Sequence, residues 1–344
     1  MVQVAVERIE ILAWYSDFKC KIDAAAFLFT LYPTHADNSP DMKSLYRARI
    51  AKIKKILKAQ GPAAALLGAG LGAVRSNDTE FPFRQDSNFY YLTGLLDQGL
   101  YLFVHSARPR ALLLCEPESE HRKLWEGPRK NPARLAAALG AELKESANLK
   151  AEIRKLLNGV DRLYYQNTPG SLPRGIADEI LNAPPAGTVR MPRLFASVDT
   201  LLEELRTIKS PEELRAIERA SSISAQGLKS ALTRMHAGAY EWQISAAIGN
   251  CFRDNHAHEA FSTIVASGAR AATLHYVRGE GRLKDGELLL IDWGAEHELY
   301  GSDMTRVFPV SGKFTPAQKA LYQVVLRAQK AAIATVREIG RAHV

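Results

Sequence analysis

The segment from Leu288 to Arg306 reads Leu-Leu-Leu-Ile-Asp-Trp-Gly-Ala-Glu-His-Glu-Leu-Tyr-Gly-Ser-Asp-Met-Thr-Arg and holds two aspartates eleven positions apart, Asp292 and Asp303. Leu288 to Ile291 is an apolar run of strand length, and it ends on a carboxylate. A bare charge at the end of a buried strand is unfavourable by several kcal/mol unless it meets a cation or strong donors. Gly294 to Glu298 reads as a turn and Leu299 to Arg306 as the returning strand, with Asp303 interrupting it. If the two strands pair, the carboxylates project toward one point and repel, and a divalent cation relieves that repulsion. A plainer reading has Asp292 capping a turn and Asp303 paired with Arg306. The residues of this segment alone leave both open.

Wider motifs extend the pattern. Asp303-Met304-Thr305-Arg306-Val307-Phe308-Pro309 is followed by Ser311-Gly312-Lys313-Phe314-Thr315-Pro316-Ala317-Gln318. Upstream lie Thr273-Leu274-His275-Tyr276, the Thr-Ile-Lys-Ser-Pro-Glu-Glu stretch at 207–213, and a long motif from Arg75 to Gly94 that includes Phe81-Pro82-Phe83-Arg84-Gln85-Asp86. Together, over residues 42 to about 337, these resemble the aminopeptidase P family of Xaa-Pro aminopeptidases, within the creatinase, prolidase and methionine aminopeptidase superfamily.

The resemblance implies a creatinase-like α/β N-terminal domain followed by the first half of an α+β pita-bread metallopeptidase domain. It implies two divalent metal ions, commonly manganese, with Asp292 binding one through both oxygens and Asp303 bridging the pair. The metals activate water for attack on the peptide carbonyl and stabilise the developing oxyanion. His275 matches the histidine that hydrogen-bonds the scissile peptide, and its alternative is a satisfied core histidine. Trp125, in Leu124-Trp125-Glu126-Gly127, resembles a tryptophan that reaches a neighbouring subunit's substrate pocket, and its alternative is plain packing. The implied substrates are peptides with proline at the second position, and the implied assembly of the full-length parent is a homo-oligomer.

The sequence departs from the family after Asp303. The only later histidine is His343 and the only later glutamate is Glu338, and neither sits in a matching motif, so the remaining histidine and glutamate ligands are absent. The chain is therefore expected to be C-terminally truncated and inactive as it stands. Residues 338–344 can be back-translated into a common sequencing-adapter sequence and are expected to be non-native.

The elements that must position these residues can be read from periodicity. Ala63–Leu67, Leu100–Val104, Ala111–Cys115 and Arg162–Tyr165 read as strands, with helices at Ala133–Leu139 and Leu149–Leu157 between them. Ser210, Pro211 and Glu213 form a capping-box start for a long helix, and a second helix is expected over Tyr240–Asn255. Short strands follow near Ser262–Ser267 and Glu287–Asp292, and a last helix starts at Thr315. The expected division is an extension over 1–41, an N-terminal domain over 42–208 and a partial catalytic domain over 209–344. In such a partial domain the Leu288–Ile291 strand is expected to lose neighbours and present a bare apolar edge.

Composition narrows the alternatives. Of 344 residues 47% are apolar and 24% charged, an ordinary globular balance. No run approaches the roughly 18 apolar residues of a membrane span. The net charge of +8 is nearly accounted for by seven cations and no acid between Lys43 and Lys58. Tyr46, Ile50, Ile53 and Leu57 fall at helical spacing inside that run, so it reads as an amphipathic helix with a solvated basic face rather than a nucleic-acid surface. Cys20, Cys115 and Cys251 are too far apart for a thiolate site and read as reduced thiols, in keeping with a cytoplasmic protein. Two other functions fit the residues: a prolidase cleaving Xaa-Pro dipeptides, and a metal-free binding protein on the same fold.

Overall fold

The computed structural model describes residues 40–129, 131–182 and 190–336. The expected extension lies outside these up to residue 39, as does the stretch 338–344.

Helix α1 (Pro40–Ala59) is the basic helix, opening two residues before Met42. Its stripe of Ile50, Ile53 and Leu57 is buried, while Lys52, Lys55 and Lys58 are exposed. Next come β1 (Ala63–Gly68), a ribbon of β2 (Val74–Ser76) and β3 (Thr79–Glu80), the short helix α2 (Ser87–Thr93), β4 (Leu100–His105) and β5 (Leu112–Cys115). The chain continues through α3 (Glu120–Glu126), α4 (Pro132–Leu139), β6 (Glu142–Glu145), α5 (Leu149–Leu156), β7 (Arg162–Tyr165), α6 (Leu172–Asn182), β8 (Leu194–Ser197) and α7 (Asp199–Thr207).

Six of these strands form one mixed sheet in the order β6-β5-β4-β1-β7-β8. Its central strand β1 is buried along its whole length, as its unbroken Ala-Ala-Ala-Leu-Leu run requires of a strand covered on both faces. Successive side chains alternate between two cores. Ala63, Ala65 and Leu67 face α1, α2, α4 and α7, while Ala64 and Leu66 face α5 and α6. The result is a three-layer α/β unit.

The second unit begins at α8 (Pro211–Leu232), followed by α9 (Glu241–Asp254), β9 (His258–Glu259), β10 (Ile264–Ser267), β11 (Leu288–Trp293), β12 (Ala295–His297), β13 (Tyr300–Gly301), β14 (Met304–Pro309) and α10 (Pro316–Thr335). The capping box expected at Ser210 is present, and the last helix has one as well. At α8, Ser210 N donates to Glu213 Oε2 at 2.9 Å, and at α10, Thr315 N donates to Gln318 Oε1 at 2.9 Å. Two small sheets, β10-β11-β14 and β13-β12-β9, pack with α8 and α9 around Ile223, Ile248, Phe252, Ile291 and Trp293.

Two expectations need correction. The returning strand expected over Leu299–Arg306 is broken at Ser302-Asp303 into β13 and β14, which belong to different sheets. The Leu288–Ile291 strand is not a bare edge: β11 is the middle strand, antiparallel to β10 on one side and β14 on the other, with Leu289 and Ile291 fully buried. Both of its neighbours lie within residues 264–309, so the strand's ladder closes locally.

The two units are joined by a buried charge. Arg49 on α1 is 4% exposed and Glu213 on α8 is 5% exposed, with Arg49 Nη2 3.1 Å from Glu213 Oε2. Arg49 Nη1 also donates to Tyr91 O at 2.7 Å, and its guanidinium lies 3.9 Å from the centroid of the Tyr91 ring. Glu213 Oε1 accepts from Tyr300 Oη at 3.0 Å. Removing one partner of a buried pair strands the other charge. Arg49→Met should therefore destabilise the protein by about 3–5 kcal/mol, and adding Glu213→Gln should restore part of that loss. Urea denaturation of the three proteins checks the order.

Candidate active site

The aspartate pair depends on one close backbone approach. A β-carbon placed on Gly294 would lie 1.9 Å from Ser302 O, so only glycine allows the chain to leave β11 while β14 arrives beside it. Ser302 is itself fixed: its N donates to Ala295 O at 2.9 Å, and its Oγ lies 2.8 Å from Ser224 Oγ on α8. Ser224 Oγ also accepts from Ala295 N at 2.8 Å, and Ser224 O accepts from Trp293 Nε1 at 2.8 Å. Helix α8 thus grips both strands at the point where they diverge.

Beyond that point β12 and β13 form their own hairpin, with His297 opposite Tyr300. The turn between them places Glu298 at φ 52° and Leu299 at φ 59°. Left-handed geometry at both positions marks the tight turn that matches strand twist, although neither residue is the usual Asn or Gly.

In the β11–β14 ladder Asp292 pairs with Thr305, and Asp292 Oδ1 accepts from Thr305 Oγ1 at 2.7 Å. Asp303 precedes β14 by one residue and Thr305 by two, so strand alternation puts it on the face of Asp292 and Thr305. Asp292 is half-buried and Asp303 exposed. On its other side Asp292 pairs with Ile264 of β10, the strand that leads into the loop bearing His275. That loop is tethered by Tyr276, whose Oη donates to Glu241 Oε2 at 2.9 Å.

His275 is exposed beside Leu274, which is 89% exposed, so it is no core histidine. Trp125 lies in the other unit, on α3, a helix with no buried residue. It is 70% exposed and stacks on His121 at 5.7 Å between ring centroids, so a packing role in the core is excluded. The structure puts Asp292 within β11 and Asp303 immediately before β14, the strand paired with it. It places His275 on the loop after the adjoining strand and does not join Trp125 to either.

Among the described residues no group of three or more His, Cys, Asp or Glu side chains is arranged to hold a metal ion. Two carboxylates are hard oxygen donors of the kind a divalent cation takes, so Asp292 and Asp303 fit such an ion as part of a ligand set.

The long motif from Arg75 to Gly94 fixes the first unit against this hairpin. Arg84 Nε and Nη2 grip the Glu296 carboxylate on β12 at 3.0 and 2.7 Å, and Asp86 Oδ1 caps α2 by accepting from Phe89 N at 2.8 Å. Sequence reading missed Ser224, Ser302 and Glu241. The one available signal was Gly294, lodged between a buried strand and a polar turn.

Comparison with known proteins agrees with this architecture. Residues 215–343 match the model of metallopeptidase family M24, whose chemistry rests on divalent metal ions. Residues 46–164 match the aminopeptidase P N-terminal domain. The Xaa-Pro aminopeptidase of Escherichia coli K12 is 30% identical over 286 residues, covering 81% of this chain and 65% of that protein. The solved structure of Pseudomonas aeruginosa aminopeptidase PepP is 32% identical with a TM-score of 0.74, covering 83% of this chain and 67% of that one. A zinc-substituted E. coli aminopeptidase P in complex with product gives a TM-score of 0.78 at 29% identity, covering 85% and 68%. The chain belongs to the aminopeptidase P family, and it spans just under two thirds of the length of the curated E. coli relative.

Gly294→Ala should force Ser302 away and separate Asp303 from Asp292. The expected loss is at least the roughly 1–3 kcal/mol of an overpacked site, with Gly286→Ala, where a β-carbon meets nothing within 4 Å but φ is +77°, showing what left-handed strain costs without any clash. Thermal unfolding of both variants against the parent measures the difference.

Proposed function

We propose that the chain carries part of the machinery of a metal-dependent Xaa-Pro aminopeptidase, which removes the N-terminal residue from peptides with proline in the second position. The observation that supports this reading is the β11–β14 register, which pairs Asp292 with Thr305, two residues after Asp303. It occurs in a chain that also has the aminopeptidase P N-terminal domain.

Asp292 and Asp303 would hold the divalent ions, manganese in our reading, and when bound the ions supply Lewis-acid polarisation of the peptide carbonyl and an activated water. Thr305 orients Asp292 by donating to Oδ1, leaving Oδ2 for a ligand. His275 faces solvent from its tethered loop and is assigned the hydrogen bond to the scissile peptide. Trp125 is assigned to a neighbouring subunit's substrate in a homo-oligomer, a role its 70% exposure leaves open to it. Two carboxylates are too few for a pair of ions, so turnover belongs to a chain supplying further ligands.

A cytoplasmic setting fits the free thiols of Cys115 and Cys251, and among the described residues no helix is long and apolar enough to cross a membrane. The basic face of α1 is read as solvated, with no nucleic-acid partner.

Manganese titration of the 344-residue chain should give weak binding, in the range of about 10⁻⁴–10⁻³ M seen for low-affinity oxygen sites, and Asp303→Asn should weaken it at least tenfold. In a gene product extended to the length of the curated relatives, Xaa-Pro-Yaa hydrolysis should require added metal and disappear in Asp303→Asn. Unchanged turnover in that variant would refute the assignment.

A further inference from the structure

Glu241 is the first residue of α9, and its side chain is completely buried. Its carboxylate accepts five hydrogen bonds. Oε1 takes Ser267 N at 2.7 Å, Ser267 Oγ at 2.9 Å and Arg270 Nε at 2.9 Å. Oε2 takes Tyr276 Oη at 2.9 Å and Gly281 N at 2.7 Å. Two carboxylate oxygens offer about four lone-pair sites, so the group is saturated. Burial alone would raise its carboxyl, but the Arg270 guanidinium, the amides of Ser267 and Gly281 and the Tyr276 hydroxyl together hold it below the ordinary glutamate range.

Every one of these donors lies between Ser267 and Gly281. That is the connection from the end of β10 through His275 and onward. Within it a short 3-10 turn spans Gly268–Ala272, and residues 273–281 have no helix or strand of their own. A loop without a ladder is held only by the contacts made to it. The carboxylate ties its two ends together and seizes Tyr276, the neighbour of His275. Helix α9 reinforces the grip through its backbone: Glu241 N donates to Gly281 O at 2.9 Å and Trp242 N to Gly279 O at 3.1 Å. Arg270 closes over the exit so tightly that a β-carbon on Gly281 would lie 2.2 Å from its Nη2. A buried ionised group satisfied from a single loop fixes that loop's shape, and a core apolar residue would serve stability alone as well.

We propose that Glu241 is a positioning residue for His275, clamping the 267–281 loop so that the imidazole is presented in one place beside the Asp292 strand. This rests on the role assigned to His275 above.

The test uses the 344-residue chain with ¹³C-labelled histidine and hydrogen exchange. Glu241→Gln keeps the shape of the side chain but leaves one oxygen, so one arm of the clamp must release. The His275 resonance, assigned by its disappearance in His275→Gln, should shift and sharpen, and the amides of residues 276–281 should exchange at least tenfold faster. The amides of β1 should keep their protection, showing that the fold persists. Tyr276→Phe deletes a single bond of the clamp, and it should move the His275 resonance in the same direction by less, with unchanged thermal unfolding. An unmoved His275 resonance with parental exchange in 276–281 overturns the proposal. If Glu241→Gln fails to fold, Tyr276→Phe decides alone, and an unmoved His275 signal there reduces Glu241 to a structural role. Failure of the functional reading would show differently: His275→Gln would leave Xaa-Pro hydrolysis by the extended gene product intact, whatever the loop measurements give.

Discussion

Two backbones pass so closely at Gly294 that the carbonyl of Ser302 occupies the space of a missing side chain, and the candidate site follows from that contact. It lets β11 run straight into β12 while β13 gives way to β14. That geometry is what aligns Asp292 with Thr305, two residues after Asp303. The forces that hold this arrangement are ordinary: the buried indole of Trp293, the Ser224–Ser302 pair and the central position of β11 in its sheet. The site is held by groups that have no part in its chemistry, as preorganised sites require.

The first unit contributes in another way. Its motif from Arg75 to Gly94 reaches across to β12 through Arg84, and its basic helix sends a single cation, Arg49, inward to Glu213. A buried ion pair is a poor source of net stability, since desolvation opposes the attraction. What it does supply is register. Few positions on α8 could meet Arg49 and Tyr300 at once, so the two cores meet in one orientation and the hairpin tip is fixed relative to both.

Much of this was readable from local sequence. Ala63–Leu67 is an unbroken apolar run, the capping boxes at Ser210 and Thr315 are four-residue signals, and the stripe Ile50-Ile53-Leu57 has helical period. The elements that escaped are short or polar. Strand β6 is Glu-Leu-Lys-Glu, an edge strand with three of its residues exposed, and its strand character comes from β5 rather than from its own composition. Helix α2 is seven residues long and is set by Asp86 at its start and Gly94 at its end. In the site, Asp292 and Asp303 stood out because carboxylates interrupt apolar strands. Ser224, Ser302 and Glu241 did not, because a serine or glutamate on a helix or turn is unremarkable until its distant partners are known. The break at Ser302-Asp303 was missed for the same reason: only the approach of Gly294 demands it.

Glu213 carries a further consequence. One of its oxygens completes the capping box of α8 and also faces Arg49, while the other receives Tyr300. The first turn of α8 is therefore finished by groups drawn from near the start of the described chain and from the far hairpin. Contacts between such remote segments form late, because closing the intervening chain opposes them before anything rewards it. The capping box itself closes within four residues, so Glu213 is set in place locally and its charge is neutralised by Arg49 only when the two halves of the molecule meet.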